Sequence, residues 1–184
     1  MAQGKLYVIS SPSGGGKSTI IGRILKNDRS LGYSVSATTR NPRKGEKDGV
    51  NYFFWNKDTF FRKIDEGAFL EWKEVYGQFY GTLKEQVQKQ IDEGRNVILD
   101  VDVQGGIDLK SKQPDAVLIF ILPPSLDVLK ERLIKRGTES EEELELRLHN
   151  AGKEMMMADH YDFQVVNLAL EKTVQEVLAI IHNQ

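Results

Sequence analysis

The 184 residues suffice for one sizeable core, or for a core carrying small inserted lobes, and the 40% hydrophobic and 28% charged fractions are ordinary for a globular chain. No cysteine occurs, which excludes a disulfide scaffold, a thiolate nucleophile and a cysteine-bound metal, and suits a reducing compartment. A net charge of -2 argues against a broad nucleic-acid surface but leaves room for a focused pocket whose field a few arginines decide. The apolar start is too short and interrupted for a signal peptide or membrane span, so a cytoplasmic location is expected.

In chain order, Lys5–Ser10 reads as a buried strand that runs into the glycine-rich stretch Ser10–Thr19. Helical periodicity begins after Lys17, with Ile20, Ile21, Ile24 and Leu25 on one side. Strand, glycine loop and helix in succession open an α/β fold. Tyr33–Gly49 is rich in basic and turn-forming residues and meets the aromatic run Tyr52–Trp55. A helix over Asp58–Glu66 ends at Gly67, Phe69–Tyr80 is aromatic and acidic together, and a second helix is expected from Thr82 to Glu93. Ser36–Arg95 is therefore expected to be an inserted lobe with short strands.

Asn96–Asp102 is expected to be a buried strand with carboxylates at its C-terminal end, followed by a short helix after Gly106. Val117–Leu122 makes another apolar strand, and Ser125 caps a helix over Leu126–Leu133. An acidic helix runs to Met157, and strand Phe163–Asn167 and helix Leu170–Ile181 close the chain. Repeated strand-to-helix crossovers predict a parallel sheet covered by helices on both faces.

The loop Ser11-Pro12-Ser13-Gly14-Gly15-Gly16-Lys17-Ser18-Thr19 has the parts a triphosphate needs. Its glycines let backbone amides turn inward, and the following helix adds its positive end. Lys17 can meet the β and γ phosphates while the Ser18 hydroxyl completes a magnesium shell. Asp100 or Asp102 is the candidate carboxylate partner; strand alternation would point both to one side, and each could instead cap a loop or pair with an arginine. The arginines favour a kinase over a hydrolysing switch: Arg132 and Arg136 share a helical face, and Arg147 lies on the next helix. Arg40 and Arg43 suit a phosphate dianion, with Tyr52, Tyr80 and Glu71 nearby in the inserted lobe.

The ordered stretches Ser11–Ser18, Ser36–Arg43, Gly49–Phe54, Phe69–Trp72, Tyr80–Thr82, Leu99–Gly105, Arg136–Glu139 and Val165–Asn167 resemble the guanylate kinase family over almost the whole chain. The resemblance implies a nucleoside monophosphate kinase fold. Its parallel core would span 1–35, 96–131 and 158–184, with a GMP-binding lobe at 36–95 and a helical lid at 132–157. It implies transfer of the γ-phosphoryl group of ATP to GMP with magnesium. By the same resemblance Ser36, Arg40, Arg43, Tyr52 and Tyr80 hold the GMP phosphate, and Glu71, Thr82 and Asp102 read the guanine edge. Ser18 and Asp100 lie by the metal, Lys17, Arg40, Arg132, Arg136 and Arg147 stabilise the transferring group, and Asn167 lies near the adenine.

Departures from the family pattern are Ser11 where glycine or alanine is usual, Lys73 where alanine is common, Gln78-Phe79 for Asn-Tyr, and Leu168 for an acid. Two rival readings follow. A nonenzymatic interaction domain of the same fold would typically lose part of the phosphate loop, which is intact here at Gly16-Lys17-Ser18. A kinase for another phosphorylated metabolite would leave Glu71 and Thr82 incidental. His149, His160 and His182 show no metal-ligand spacing. No residue reports on the sugar hydroxyl or on oligomeric state, so dGMP stays open as an acceptor.

Overall fold

The computed structural model describes residues 3–75, 77–136 and 141–184, with the Arg136 side chain outside the described set. The first sheet is built from β1 (Leu6–Ser10), β2 (Gly32–Tyr33), β7 (Val97–Asp100), β8 (Val117–Leu122) and β9 (Phe163–Val166), in the order β2-β7-β1-β8-β9. Every pairing in it is parallel. Helices α1 (Lys17–Asn27) and α7 (Leu170–Asn183) cover one face, and α3 (Lys84–Asp92) and α4 (Val103–Lys112) the other.

The side-chain alternation of a strand explains this layering. Tyr7, Ile9, Ile98, Ile119 and Ile121 point to α1 and α7, where Ile20, Ile24, Val174 and Val177 complete one core. Leu6, Val8, Val97, Leu99, Leu118 and Phe120 point to α3 and α4, against Val87, Val103 and Leu109. The Tyr7 hydroxyl, fully buried, donates to the Ile181 carbonyl at 2.9 Å, whereas the buried Ser34 hydroxyl, just past β2, has no hydrogen-bond partner among the described residues.

A second sheet holds β3 (Ala37–Thr38), β4 (Phe53–Phe54), β5 (Phe69–Val75) and β6 (Gln78–Leu83), in the order β4-β3-β6-β5. It mixes one parallel pairing with two antiparallel ones, and Phe60 of α2 (Lys57–Asp65) packs beneath it on Phe69 with ring centroids 4.6 Å apart. Helices α5 (Leu126–Arg136) and α6 (Glu141–Met156) pack on each other through Leu129, Leu133 and Ala151. No helix among the described residues is long and apolar enough to cross a membrane.

Four sequence expectations are corrected. The strand expected to reach Asp102 ends at Asp100. Asp102 instead caps α4, accepting from the Gly105 amide at 2.7 Å, so that helix starts before Gly106 and the two aspartates do not share a strand face. Thr82 lies in β6 rather than opening a helix, because its position opposite Glu71 completes the β5–β6 ladder.

Candidate active site

The C-terminal ends of the parallel strands gather the candidate groups, as expected at the switch point of an open α/β sheet. The loop after β1 delivers the glycines, β7 ends in Asp100, and Asn167 follows β9. A cleft of about 620 Å³ runs from this loop to the second sheet and is closed on one side by α5 and α6.

At the loop, Gly14 and Gly16 adopt left-handed φ of 87° and 97°, which L side chains rarely take. A β-carbon on Gly15 would collide with the Ser11 hydroxyl, itself buried and donating to the Pro12 carbonyl at 3.1 Å. Asn167 braces the loop from behind: its side-chain amide donates to the Gly15 carbonyl at 2.9 Å, and it is only 7% exposed. The turn then enters α1, leaving Ser18 and Thr19 exposed at the positive end of the helix. Lys17 forms an ion pair with Asp100 and donates to the Val101 carbonyl at 3.0 Å.

The arginines approach from the helical pair. Arg147 donates to the Ser13 hydroxyl at 3.1 Å, and Arg132 reaches the Asn167 carbonyl at 3.2 Å and that of Gly15 at 3.5 Å. The Arg136 side chain lies outside the described residues, although α5 persists to that position.

The second sheet supplies the far wall. Ser36, Arg43, Tyr52 and Tyr80 line the cleft, with Tyr52 and Tyr80 edge to face at 6.1 Å. Burial pushes the Tyr52 phenol up to about 12, so it stays a hydrogen-bond donor at neutral pH. Arg40 is set back from the cleft lining: its guanidinium grips both oxygens of Glu46 at 2.9 Å and lies 5.4 Å from the Tyr52 ring centroid. Glu46 also accepts from the Arg43 amide at 2.6 Å, so this acid fixes the turn that carries both arginines.

Glu71 faces the cleft while 8% exposed, and Thr82 donates its hydroxyl to it at 2.6 Å. Burial raises the Glu71 carboxyl above its ordinary range, with the negative charge of Asp102 adding to the effect and the Thr82 hydrogen bond opposing it. Asp102 carries Lys73 at 3.5 Å on the same oxygen that caps α4.

Sequence reasoning passed over two acids. Glu46 was one charge in a basic turn, and Glu154 one acid on a charged helix. Glu154 lines the cleft with Ser13; burial and the charge of Asp102 raise its carboxyl, while the Ser13 amide and the charges of Lys17 and Lys73 oppose the shift. Glu46, three residues past Arg43 in a turn, was open to detection as a local partner; Glu154, distant in sequence from Ser13, was not.

A glycine loop between a parallel strand and a helix, a lysine on it, converging arginines and a second sheet facing across a cleft define a phosphate-loop nucleotide kinase. The family model described as Guanylate kinase matches residues 3–184. A guanylate kinase of Caldanaerobacter subterraneus is 49% identical over 179 residues, covering 97% of this chain and 87% of that protein. One from Thermotoga maritima is 44% identical over 182 residues, covering 99% and 88%. The crystal structure of guanylate kinase from Anaplasma phagocytophilum superposes with a TM-score of 0.83 at 32% identity, covering 99% of this chain and 86% of that one. The chain belongs to the guanylate kinase family.

Proposed function

We propose that the chain binds ATP on the Ser11–Thr19 loop and GMP against the second sheet, and that the γ-phosphoryl group passes directly, in line, to the GMP phosphate in the cytoplasm. Membership of the family makes it an ATP:GMP phosphotransferase, releasing ADP and GDP. The supporting observation is that a single cleft joins Lys17 of the phosphate loop to Arg43, Tyr80 and Glu71 of the second sheet.

In this reading Ser36, Arg40, Arg43, Tyr52 and Tyr80 hold the acceptor phosphate, and Arg40, held by Glu46, also backs Tyr52. The acceptor oxygen is already anionic, so no general base is required. Lys17 leaves Asp100 to meet the β and γ phosphates, while Arg132 and Arg147 face the charge that spreads over the transferring group. Segments 36–95 and 132–157 would close over the core to exclude water. Glu71, Thr82 and Asp102 would read the guanine edge, the carboxylates accepting from N1–H and the exocyclic amine, a donor pair adenine lacks.

Magnesium fits the donors present. Ser18 offers an exposed hydroxyl and Asp100 a carboxylate, the sparse hard-oxygen set suited to an ion that keeps waters and phosphate oxygens. No group of three or more acidic or histidine ligands occurs among the described residues, in keeping with a metal that arrives on ATP. When bound, the ion supplies charge neutralisation and alignment of the β and γ oxygens.

Transfer from a γ-thiophosphate made chiral with oxygen isotopes tests the course of the reaction. Inversion at phosphorus is expected; retention would require a covalent enzyme intermediate and contradict direct transfer.

A further inference from the structure

The first turn of α4 stands against two acids of the cleft, Glu71 and Asp102. A β-carbon on Gly105 would lie 3.3 Å from Glu71 Oε2 and 3.4 Å from Asp102 Oδ1, the oxygen that accepts from the Gly105 amide. The position of this turn therefore decides where Asp102 presents its carboxylate, and hydrogen bonds weaken steeply once misaligned.

Two hydroxyls from distant parts of the chain hold the turn in place. Tyr161, which follows the short helical turn Met157–His160 beyond α6, donates to the Val103 carbonyl at 2.9 Å. Ser10, the last residue of β1, donates to the Asp102 carbonyl at 3.3 Å. The Tyr161 ring is buried edge to face on Phe120 of β8, with centroids 5.0 Å apart, so its hydroxyl starts from a fixed point. Burial pushes this phenol above its ordinary value, and it keeps its proton to donate. The helix makes room for it at Gly106, where a β-carbon would collide with the Tyr161 hydroxyl. Tyr161 itself does not line the cleft, whereas Asp102 does.

We propose that Tyr161 is a positioning residue: its hydrogen bond to Val103 fixes the first turn of α4, and with it the Asp102 carboxylate, for the base of the acceptor nucleotide. The inference rests on the acceptor reading above, in which Asp102 meets the guanine edge.

Tyr161→Phe keeps the ring on Phe120 and removes only the hydroxyl, and Asp102→Asn keeps an oxygen to cap α4 while removing the carboxylate. Steady-state kinetics of wild type, the two single variants and the double variant test the proposal. Tyr161→Phe is expected to raise KM for GMP by about 3–10-fold, with kcat and KM for ATP changed less than about twofold. In the Asp102→Asn background the same substitution is expected to cost little more, because the group it positions is gone. Unchanged KM for GMP in Tyr161→Phe would overturn the proposal. An equal penalty in both backgrounds, or a parallel rise in KM for ATP, would also overturn it, since either marks a general structural role. Unchanged KM for GMP in Asp102→Asn would remove the role of Asp102 and the proposal with it, whereas a wild type inactive on GMP would overturn the acceptor reading as a whole. Melting curves place each assay below the variant's transition. Should Tyr161→Phe fail to fold, Gly106→Ala, which crowds the same hydroxyl, carries the same expectations in both backgrounds.

Discussion

Lys17, the first residue of α1, is ion-paired with Asp100, the last residue of β7, and each side chain is less than one-fifth exposed. The pair stores the phosphate-binding charge against a carboxylate until phosphates arrive to compete for it. Lys17→Met is expected to lower kcat by about 10²–10³-fold, because the lost charge acts on the transferring group. Asp100→Asn is expected to cost about 10–100-fold and to raise the magnesium concentration needed for half-maximal rate. Initial rates measured over a magnesium titration check both.

Glu71 couples selectivity to stability. Its folded-state carboxyl is held above the ordinary 4.5, so the folded protein binds more protons than the unfolded chain in the window above that value. Stability from this group therefore falls as pH rises through the window. Glu71→Gln removes the buried charge and leaves an oxygen for Thr82. The nucleotide-free variant is expected to melt higher than wild type at pH 7, with the difference closing as pH falls toward 4.5. Its kcat/KM for GMP is expected to drop by about 10–100-fold. Paired melting curves and GMP kinetics over about pH 4.5–8 check both expectations.

Asn167 tests the architecture behind the loop. Asn167→Ala takes from the Gly15 carbonyl its nearer side-chain donor, leaving Arg132 at 3.5 Å, and removes one of two acceptors of the Thr173 hydroxyl, which keeps the Ala169 carbonyl at 3.0 Å. A stability loss of about 1–3 kcal/mol is expected by denaturant unfolding. KM for ATP should rise while KM for GMP holds, since the second sheet is untouched.

Arg147 contacts Ser13, at the entrance to the phosphate loop, from α6. Arg147→Ala is expected to reduce kcat by about 10²–10³-fold with little change in GMP binding. Arg147→Lys should recover only part of the rate, because an ammonium lacks the planar fork. Single-turnover rates alongside equilibrium GMP binding separate the two effects.

Local chemistry made much of this site legible in the sequence. The strand, glycines and Lys17 are contiguous, and the run Val97–Asp100 carries its own signal of burial. What escaped was decided by competition or by distance. Asp102 reads as a strand residue by alternation, yet a helix start has open amides, and the carboxylate satisfies one of them. Thr82 reads as a helix start after Gly81, but cross-strand pairing with Glu71 holds it in β6. Glu154 belongs to an acidic helix whose other members suggest a solvated face, and only the packing of α6 beside the phosphate loop brings it to Ser13. Lys73 was visible as a departure from the family pattern, whereas its position beside Asp102 required the fold.

A coupled assay supplying ATP and magnesium with GMP, AMP, CMP or UMP in turn measures the central claim most directly. GMP is expected to be converted to GDP with matching ADP release, at a kcat/KM above that for AMP by orders of magnitude. Equal activity on AMP and GMP, or none on GMP, would contradict it.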